Sequence, residues 1–276
     1  MGVLEGKVAF ISGGARGQGR SHAIRLAQEG ADIITFDICE QFDTVAYTGS
    51  TEDDLNETVK AVEALDRRIV AKKADVRSPE AVQAVFDEGI AELGRVDIVL
   101  ANAGIMPIIG EPAKPVQAWY DCIDIMLSGV LHTIEAAVPT LISQGQGGSI
   151  VITSSTAGLK APVRTLETKN NGLLGYIAAK HGVVGLMRAY ANSLGPYGIR
   201  SNTIHPTGVN TPMVANPEFG AYAEEHPTMM DAMHNTLPIP MIEAVDISNA
   251  IVYLASEAGR YVNGIQLPVD AGSSIY

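Results

Sequence analysis

A glycine-rich turn near the start of the chain constrains its fold more than any other feature. Residues 7–29, KVAFISGGARGQGRSHAIRLAQE, run from a short apolar strand through Gly13, Gly17 and Gly19 into an amphipathic helix. Glycine permits a positive φ and lets the backbone approach a ligand closely, while the start of a helix presents unpaired N–H groups and the positive end of a dipole. This order of elements predicts a cradle for a pyrophosphate.

A carboxylate follows the glycines at the spacing that nucleotide-binding folds use. Residues 31–36 are predicted to form a second strand, and Asp37 ends it about 20 residues beyond the glycines. A carboxylate at that place can accept a hydrogen bond from the ribose of an adenosine. A ligand-free glycine turn remains the alternative, but it does not explain where Asp37 stands.

The rest of the chain predicts one α/β domain spanning residues 1–276, with a doubly wound parallel sheet and helices on both faces. Short β-branched runs alternate with helical stretches, and such alternation implies a parallel sheet. The 276 residues are 46% hydrophobic, which is enough for one sizeable core. The predicted strands are residues 69–73, 98–101, 149–152, 199–204 and 265–269, and the predicted helices lie around residues 80–93, 117–141, 176–194 and 244–256.

Two connections are longer than strand-to-helix turns require. Residues 39–52 form an insert after the second predicted strand, and residues 211–242 form a long segment rich in Pro and Met. Loops of this length in compact domains tend to be lids or binding loops. We expect both to flank the ligand, because parallel sheets bind ligands at the carboxyl ends of their strands.

The composition argues for a small-molecule partner. A formal net charge of −12, without clusters of Lys and Arg, opposes binding to nucleic acid or to an acidic membrane surface. Cys39 and Cys122 lie in different segments without CxxC spacing, so neither a disulfide nor a metal site is expected. No basic-then-apolar leader precedes the first strand, and no apolar run approaches the length that spans a bilayer. We therefore expect a cytoplasmic location.

A tyrosine and a lysine one helical turn apart provide candidate acid–base chemistry. Tyr176 and Lys180 share one face of a predicted helix, and a nearby ammonium stabilises a phenolate and lowers the pKa of the phenol. Such a pair is by itself often an accident of a helix surface. The preceding strand delivers Ser154 and Ser155 to the same edge of the sheet, where a hydroxyl can bind a substrate oxygen beside the phenol.

Together these residues resemble the short-chain dehydrogenases/reductases in their NAD(P)-dependent Rossmann-fold form, over nearly the whole chain. Residues 12–19 match the glycine motif of the family, with Ser in place of the usual Thr, and Asn102, Ala103 and Gly104 match the motif that supports the sheet beside the cofactor. The resemblance implies that the catalytic residues are Ser155, Tyr176 and Lys180. It also implies the following cofactor-binding residues: Gly13, Arg16, Gly17, Gln18, Gly19, Asp37, Ile38, Asp75, Val76, Asn102, Ala103, Gly104, Tyr176, Lys180, Pro206, Gly208, Val209 and Thr211.

The family resemblance assigns a role to each catalytic residue. Tyr176 would exchange a proton with the substrate oxygen, Ser155 would polarise that oxygen, and Lys180 would lower the phenol pKa and bind the nicotinamide ribose. Ser155 is preferred to Ser154 because it holds the second position of the serine pair before Ala157. The segment between Ser155 and Tyr176 is longer than in typical members, through extra residues 160–172.

The cofactor is expected to be NAD. Asp37 would accept from a free ribose 2′-hydroxyl but repel a 2′-phosphate. Arg16 points the other way, because members that prefer NADP often carry a basic residue before this glycine. We expect the carboxylate to dominate, and a solvated arginine is the alternative interpretation of Arg16.

One position departs from the family pattern. The family commonly has Asn where this chain has Met126, and that Asn helps to hold a water that relays protons to the lysine. A thioether cannot donate a hydrogen bond and accepts only weakly. Either a backbone carbonyl and water carry the relay, or proton exchange with solvent is slow. A non-catalytic NAD(H)-binding sensor is therefore the alternative from another functional class.

A narrower resemblance points to the mycofactocin-coupled, carveol dehydrogenase-like subgroup. It rests on the glycine motif, the insert at residues 39–52, residues 176–185 (YIAAKHGVVG) and residues 204–211 (IHPTGVNT). The subgroup implies firmly held NAD(H) that a separate redox carrier recycles in place. The insert could fold over the adenosine end or be a plain surface loop, and an ordinary dehydrogenase with freely exchanging NAD(H) stays the alternative.

The expected substrate is a hydrophobic secondary alcohol, such as a terpene alcohol like carveol, or its ketone. Four methionines of the long segment suggest an adaptable apolar lid, and ordinary packing explains them equally well. His205, His181 and Trp119 are interpreted as packing residues without a catalytic role. The methionines are Met213, Met229, Met230 and Met233.

A homotetramer is the expected assembly, since family members commonly pair two long helices across two-fold axes. The predicted helices at residues 117–141 and 176–194 carry more apolar and small residues than one buried stripe needs. Burial of these faces within one subunit is the alternative. The residues concerned are Ile134, Ala136, Ala137, Val138, Val183, Val184, Leu186 and Met187.

Overall fold

A computed structural model describes residues 2–163, 165–227, 231 and 234–275. Seven strands form one parallel sheet in the order β3-β2-β1-β4-β5-β6-β9, and the short strands β7 and β8 pair separately. The strand order reverses between β1 and β4, which creates the crevice where open α/β sheets bind ligands. The strands are β1 Val8–Ser12, β2 Asp32–Asp37, β3 Ile69–Lys73, β4 Ile98–Ala101, β5 Gly148–Thr153, β6 Ile199–Pro206, β7 Val209–Asn210, β8 Ile242–Glu243 and β9 Gln266–Val269.

Helices cover both faces of the sheet, as the alternating pattern predicts. Because successive side chains of a strand point to opposite faces, β1 sends Phe10 to one core and Ala9 and Ile11 to the other. The first core packs α3, α5 and α6 on the sheet, and the second packs α1 and α8. The helices are α1 Gly17–Gln28, α2 Glu52–Glu63, α3 Pro79–Leu93, α4 Val116–Ile123, α5 Gly129–Gln144, α6 Asn171–Leu194, α7 Pro217–Glu225 and α8 Ala244–Ala255.

The helix predicted at residues 117–141 is longer and less regular than the sequence suggests. It runs continuously over Val116–Gln144, and a π-helical turn at Asp124–Ser128 joins α4 to α5. By length and apolar composition it could cross a membrane, so the statement that no apolar run approaches that length is wrong. Half of its most apolar window is buried inside the fold, where α4 packs against α6. Interior packing therefore accounts for its apolar character.

The apolar residues cited for assembly mostly pack inside one subunit. Of the eight residues, Ile134, Ala136, Ala137, Val183, Val184 and Met187 are buried, and Val138 and Leu186 are partly buried. The premise that these helices carry surplus apolar surface is therefore wrong for most of the residues named.

Candidate active site

The glycine turn between β1 and α1 closes against the turn after β4. Gly13 has φ +74°, and a Cβ built on it would lie 2.8 Å from the Cα of Ala103. A Cβ on Gly19 would lie 1.9 Å from the carbonyl oxygen of Gly13. Helix α1 begins at Gly17 without a side-chain cap. Its first N–H groups therefore remain for a ligand, and the turn fits a pyrophosphate as predicted.

Asp37 lies at the carboxyl end of β2, and hydrogen bonds from the glycine turn and from the insert fix its carboxylate. Oδ2 accepts from the backbone N–H of Ala15 at 3.0 Å, and Oδ1 accepts from the hydroxyl of Ser50 at 2.6 Å. Arg16 donates from its guanidinium to the carbonyl of Thr48. Arg16 lines the same cleft, and this exposed hydrogen bond connects it to the insert.

The insert at residues 39–52 is built into the core. The ring of Tyr47 is buried, and its hydroxyl oxygen accepts from the backbone N–H of Met106 at 3.0 Å. Thr44 donates to the carboxylate of Asp121 at 2.6 Å, and Val45 joins the first core. Burial raises the pKa of Tyr47, so its phenol stays neutral. The alternative of a plain surface loop is therefore wrong.

Asp75 supports the insert from the opposite wall of the cleft. Its carboxylate accepts from Arg77 at 2.6 Å, and the Arg77 guanidinium lies 5.0 Å from the centre of the Phe42 ring. Burial by itself raises the pKa of Asp75, but hydrogen bonds from Arg77 outweigh it and lower the pKa. Phe42 of the insert and Val76 both line the cleft. One wall of the cleft is thus formed by residues at the ends of strands, and the other by the insert.

Asn102 joins the turn after β4 to the glycine turn. Its amide nitrogen lies 3.2 Å from the carbonyl oxygen of Ser12 and 3.3 Å from that of Gly13. The Ser12 hydroxyl oxygen accepts from the backbone N–H of Asn102 at 3.0 Å and from that of Ala103 at 3.2 Å. Ser in place of the usual Thr keeps the oxygen that this arrangement needs.

Ser155, Tyr176 and Lys180 converge beside the cleft. Ser155 follows β5, and its side chain and that of Tyr176 on α6 line the same cleft. The Nζ atom of Lys180 donates to the carbonyl of Thr153 at 2.8 Å and lies 5.6 Å from the centre of the Tyr176 ring. Ser154 is buried, and its hydroxyl donates to the carbonyl of Lys180. The structure thus favours Ser155 over Ser154 as the exposed hydroxyl.

Desolvation dominates the pKa values of this group. Burial lowers the pKa of Lys180 to about 8. Burial also raises the pKa of Tyr176 above its ordinary value, and the nearby Ser155 side chain opposes that shift. Burial thus opposes the lowering of the phenol pKa that the family resemblance implies, and that lowering stays a prediction.

A second, mostly apolar cleft opens on Ser155 and Tyr176. Gln18, Thr211 and Met213 line both clefts, so the two meet at these residues. Of the predicted lid methionines, Met229, Met230 and Met233 lie outside the described residues. Further apolar side chains that line the second cleft are Met106, Ile108, Pro162, Leu173 and Val214.

Met126 occupies the π-helical turn as a packing residue. It is 1% exposed, and its sulfur would lie 3.4 Å from a Cβ built on Gly104. The side chain therefore fills the space behind the turn that carries Asn102 and Gly104. It adds no hydrogen-bonding group to the site, in agreement with the sequence comparison to the family.

A comparison with protein families identifies the family of this chain. The family model described as enoyl-(acyl carrier protein) reductase matches residues 13–274. The chain belongs to the short-chain dehydrogenase/reductase family. The predicted resemblance and the Rossmann-type sheet are thereby confirmed.

Relatives of this short-chain dehydrogenase/reductase match it from end to end. An uncharacterised oxidoreductase of Mycobacterium tuberculosis is 52% identical, with 98% of this chain and 96% of the relative covered. The (−)-trans-carveol dehydrogenase of Rhodococcus erythropolis is 46% identical, with 100% of both chains covered. The crystal structure of carveol dehydrogenase from Mycobacterium avium in complex with NAD is 49% identical, with a TM-score of 0.91 and 100% of both chains covered. The predictions of an NAD-dependent oxidoreductase and of NAD as cofactor are confirmed.

The structure brings the predicted site residues to two adjoining surfaces of this dehydrogenase. Lys180 lies buried behind Tyr176. The first cleft is lined by Gly13, Arg16, Gly17, Gln18, Gly19, Asp37, Ile38, Asp75, Val76, Asn102, Ala103, Gly104 and Thr211. The second is lined by Ser155, Tyr176, Pro206, Gly208 and Val209, together with Gln18 and Thr211.

Sequence reasoning missed part of the lining. Glu40, Phe42, Val45, Tyr47 and Ser50 line the first cleft from the insert. The signal available in the sequence was the occurrence of apolar residues, Phe42, Val45 and Tyr47 among them, in a mainly polar loop. Their packing depends on contacts with α4 and with the turn after β4, which the local pattern does not encode.

Proposed function

We propose that this dehydrogenase interconverts a hydrophobic secondary alcohol, such as a terpene alcohol like carveol, and its ketone, with NAD(H) that stays bound between turnovers. The observation that carries the proposal is the position of Ser155 and Tyr176 in the second, mostly apolar cleft, which adjoins the first cleft at Gln18, Thr211 and Met213. A mostly apolar wall that includes the hydroxyl-bearing residues Ser155 and Tyr176 suits a substrate that has one oxygen on a hydrocarbon skeleton. The relative from Rhodococcus erythropolis, named for (−)-trans-carveol, supports the same substrate class.

The three proposed catalytic residues divide the proton chemistry among them. NAD, held by the glycine turn and Asp37, supplies the hydride acceptor when bound. Tyr176 exchanges the proton of the substrate hydroxyl, and Lys180 stabilises the phenolate as a nearby cation. Ser155 accepts from the backbone N–H of Ala157 at 3.1 Å, which leaves its own proton for donation to the substrate oxygen.

Tight retention of NAD(H) is supported by the anchoring of the insert. A loop that covers the adenosine end must open before the nucleotide can leave, and this insert is held by Tyr47, Thr44 and Val45. Bound NADH must then be reoxidised in place. We therefore propose a separate redox carrier, of the mycofactocin kind that the subgroup resemblance implies.

The location and assembly are further proposals. Cys39 and Cys122 are both free and buried, which is compatible with a reducing cytoplasm. The chain is proposed to act as one domain, because the insert and the segment 211–242 both line clefts at the same edge of the sheet. A homotetramer is proposed because members of the family commonly assemble as tetramers.

One experiment tests the core of the proposal. Protein purified without added nucleotide is denatured, and the released nucleotide is identified by mass spectrometry. A second portion is mixed with (−)-trans-carveol, and the absorbance of NADH is followed. We expect bound NAD(H), a single burst no larger than the bound nucleotide, and continued turnover only with an artificial electron acceptor. Free NAD that sustains turnover would instead establish an ordinary exchanging dehydrogenase.

Replacement of the phenol tests catalysis directly. Tyr176→Phe should keep bound nucleotide and lose roughly 10²-fold or more of the burst rate, which is the scale of a lost acid–base group. Tyr120→Phe, at a tyrosine that is 51% exposed, is the matched control and should react like the natural protein. Bound nucleotide without a burst from carveol or from cyclohexanol would favour the sensor.

A further inference from the structure

His205 is a buried histidine near the end of β6 that the sequence assigned to packing. It is 0% exposed, and both of its ring nitrogens have polar partners. Nδ1 lies 2.8 Å from the carbonyl oxygen of Ser155, and Nε2 lies 2.8 Å from the hydroxyl oxygen of Thr203. Filling space would not require either contact. The packing interpretation is therefore incomplete.

The partners of His205 fix its tautomer. A carbonyl oxygen can only accept a hydrogen bond, so the proton must be on Nδ1. Nε2 of the neutral ring is then an acceptor, and the hydroxyl of Thr203 donates to it. Burial lowers the pKa of His205 to about 4, with Lys180 and His181 lowering it further and Asp270 and the Ser155 hydrogen bond opposing. The ring is therefore neutral at neutral pH.

His205 contacts the backbone carbonyl of Ser155, which belongs to the short turn that sets the direction of the Ser155 side chain. The Ser155 carbonyl also accepts from the backbone N–H of Gly158 at 2.9 Å. Two donors on one carbonyl oxygen fix the peptide plane that follows Ser155. The hydroxyl oxygen of Ser155 in turn accepts from Ala157 at 3.1 Å, inside the same short turn. Without the N–H of His205, Gly158 would be the remaining donor to this carbonyl. The carbonyl, and with it the turn that carries the Ser155 hydroxyl, would then be free to rotate.

We propose that His205 is a positioning residue for the reaction: its Nδ1–H holds the Ser155 carbonyl so that the Ser155 hydroxyl faces the substrate oxygen. The inference rests on the proposed function, because it requires Ser155 to act on the substrate. The chain from Thr203 through His205 to Ser155 links β6 to the end of β5. It acts through Ser155 and touches no reacting atom.

Two amide replacements test whether the position of the N–H donor matters. Each introduces an amide N–H, but at a different place in the side chain. His205→Asn keeps an N–H near the place of Nδ1, and His205→Gln moves the N–H to the place of Nε2. With (−)-trans-carveol or cyclohexanol as the probe, the burst rate of His205→Gln should fall about tenfold or more, the size of a misplaced catalytic group. His205→Asn should restore most of that rate. Equal losses in both variants would overturn the proposal.

A double-mutant cycle shows whether His205 works through Ser155. If it does, His205→Gln lowers the burst rate in the natural background but has no further effect beside Ser155→Ala. Losses that multiply would overturn the positioning role while leaving Ser155 in place. A Ser155→Ala variant that reacts at the natural rate would instead overturn the proposed role of Ser155 itself.

Two further measurements keep the test decisive. Melting temperature and bound nucleotide are recorded for every variant, and if His205→Gln does not fold, Thr203→Val replaces it in the same cycle. Nitrogen-15 NMR of histidine-labelled protein, assigned by the signals lost in His205→Asn, should show His205 protonated on Nδ1 alone at pH 7. A proton on Nε2 would overturn the proposal without any substrate.

Discussion

At the scale of single residues, local spacing predicts where Asp37, Tyr176 and Lys180 lie. Each is fixed by its own element: Asp37 by the end of a strand, and the other two by one turn of a helix. The same logic fails for His205, whose partner Ser155 is 50 residues away. It also does not reach the environment of Tyr176, because the burial that raises the pKa of this phenol depends on the whole fold and not on the neighbouring lysine. Sequence thus predicts positions better than environments.

Asp37 should control the choice between NAD and NADP. Its carboxylate is held by Ala15 and Ser50, so it cannot turn away from a 2′-phosphate without breaking these hydrogen bonds. Asp37→Asn removes the charge and should raise the NADP-to-NAD binding ratio about tenfold or more, since juxtaposed like charges cost several kcal/mol. Asp43→Asn, at an exposed carboxylate of the insert, is the control. An unchanged ratio, measured by calorimetry on nucleotide-free protein, would contradict the charge argument.

His22 should make the fold sensitive to mild acid. It is fully buried in α1, and burial lowers its pKa from 6.5 to about 3. Below about pH 6.5, His22 therefore binds a proton in the unfolded chain but stays neutral in the folded chain. The free energy of unfolding consequently falls as the pH drops. Between pH 6.5 and 5 this one residue should account for about 2 kcal/mol. His205 acts in the same direction.

Urea unfolding at pH 7 and pH 5 measures this effect. His22→Asn, which keeps a polar group near the Nδ1 that lies 2.8 Å from Ser248, should lose less stability between the two pH values than the natural protein. Carboxylates titrate mainly below this range, so they contribute little to the difference. An identical change in the free energy of unfolding for the two proteins would rule out the assignment to His22.

At the scale of elements, the sequence predicts the existence of strands and helices but not their irregularities. The apolar pattern of residues 117–141 indicates one helix, yet a π-helical turn interrupts it at Asp124–Ser128, because one extra residue in a turn barely disturbs an apolar stripe. Helix α2 begins with a capping box between Thr51 and Asp54. This local signal was missed when residues 39–52 were interpreted as a loop. The docking of the insert depends on distant partners and could not be predicted.

The insert should control nucleotide exchange. Tyr47→Phe keeps the buried ring but leaves the backbone N–H of Met106 without its acceptor, at a cost of about 1–3 kcal/mol to the closed insert. Release of bound NAD(H) should then accelerate about tenfold or more. Exchange against isotopically labelled NAD, followed by mass spectrometry, measures the rate, with Tyr120→Phe as the exposed control. An unaltered rate for Tyr47→Phe would mean that the insert does not retain the nucleotide.

At the scale of the whole molecule, the surface offers a second candidate place for assembly besides the long helix at residues 117–141, on which Tyr120 and Leu131 are exposed. The residues named on α5 and α6 are largely buried within one subunit, whereas Tyr253 on α8 is 44% exposed and Tyr261 is 89% exposed. Both precede β9, which lies at an edge of the sheet. Exposed aromatic side chains beside a sheet edge are a typical setting for contacts between subunits. If the chain forms the proposed tetramer, this edge should take part in it.

Light scattering after size exclusion tests the assembly. The natural protein should be a tetramer at micromolar concentration, and the double variant Tyr253→Asp, Tyr261→Asp should fall to a smaller species, because each substitution would bury a carboxylate without a partner. Leu166→Asp is the matched control: Leu166 is 86% exposed in the segment between Ser155 and Tyr176, and its replacement should leave the mass unchanged. A monomeric natural protein would contradict the tetramer. A tetramer that survives the double substitution would move the interface away from α8 and β9, since two like charges facing their symmetry copies could not remain buried there.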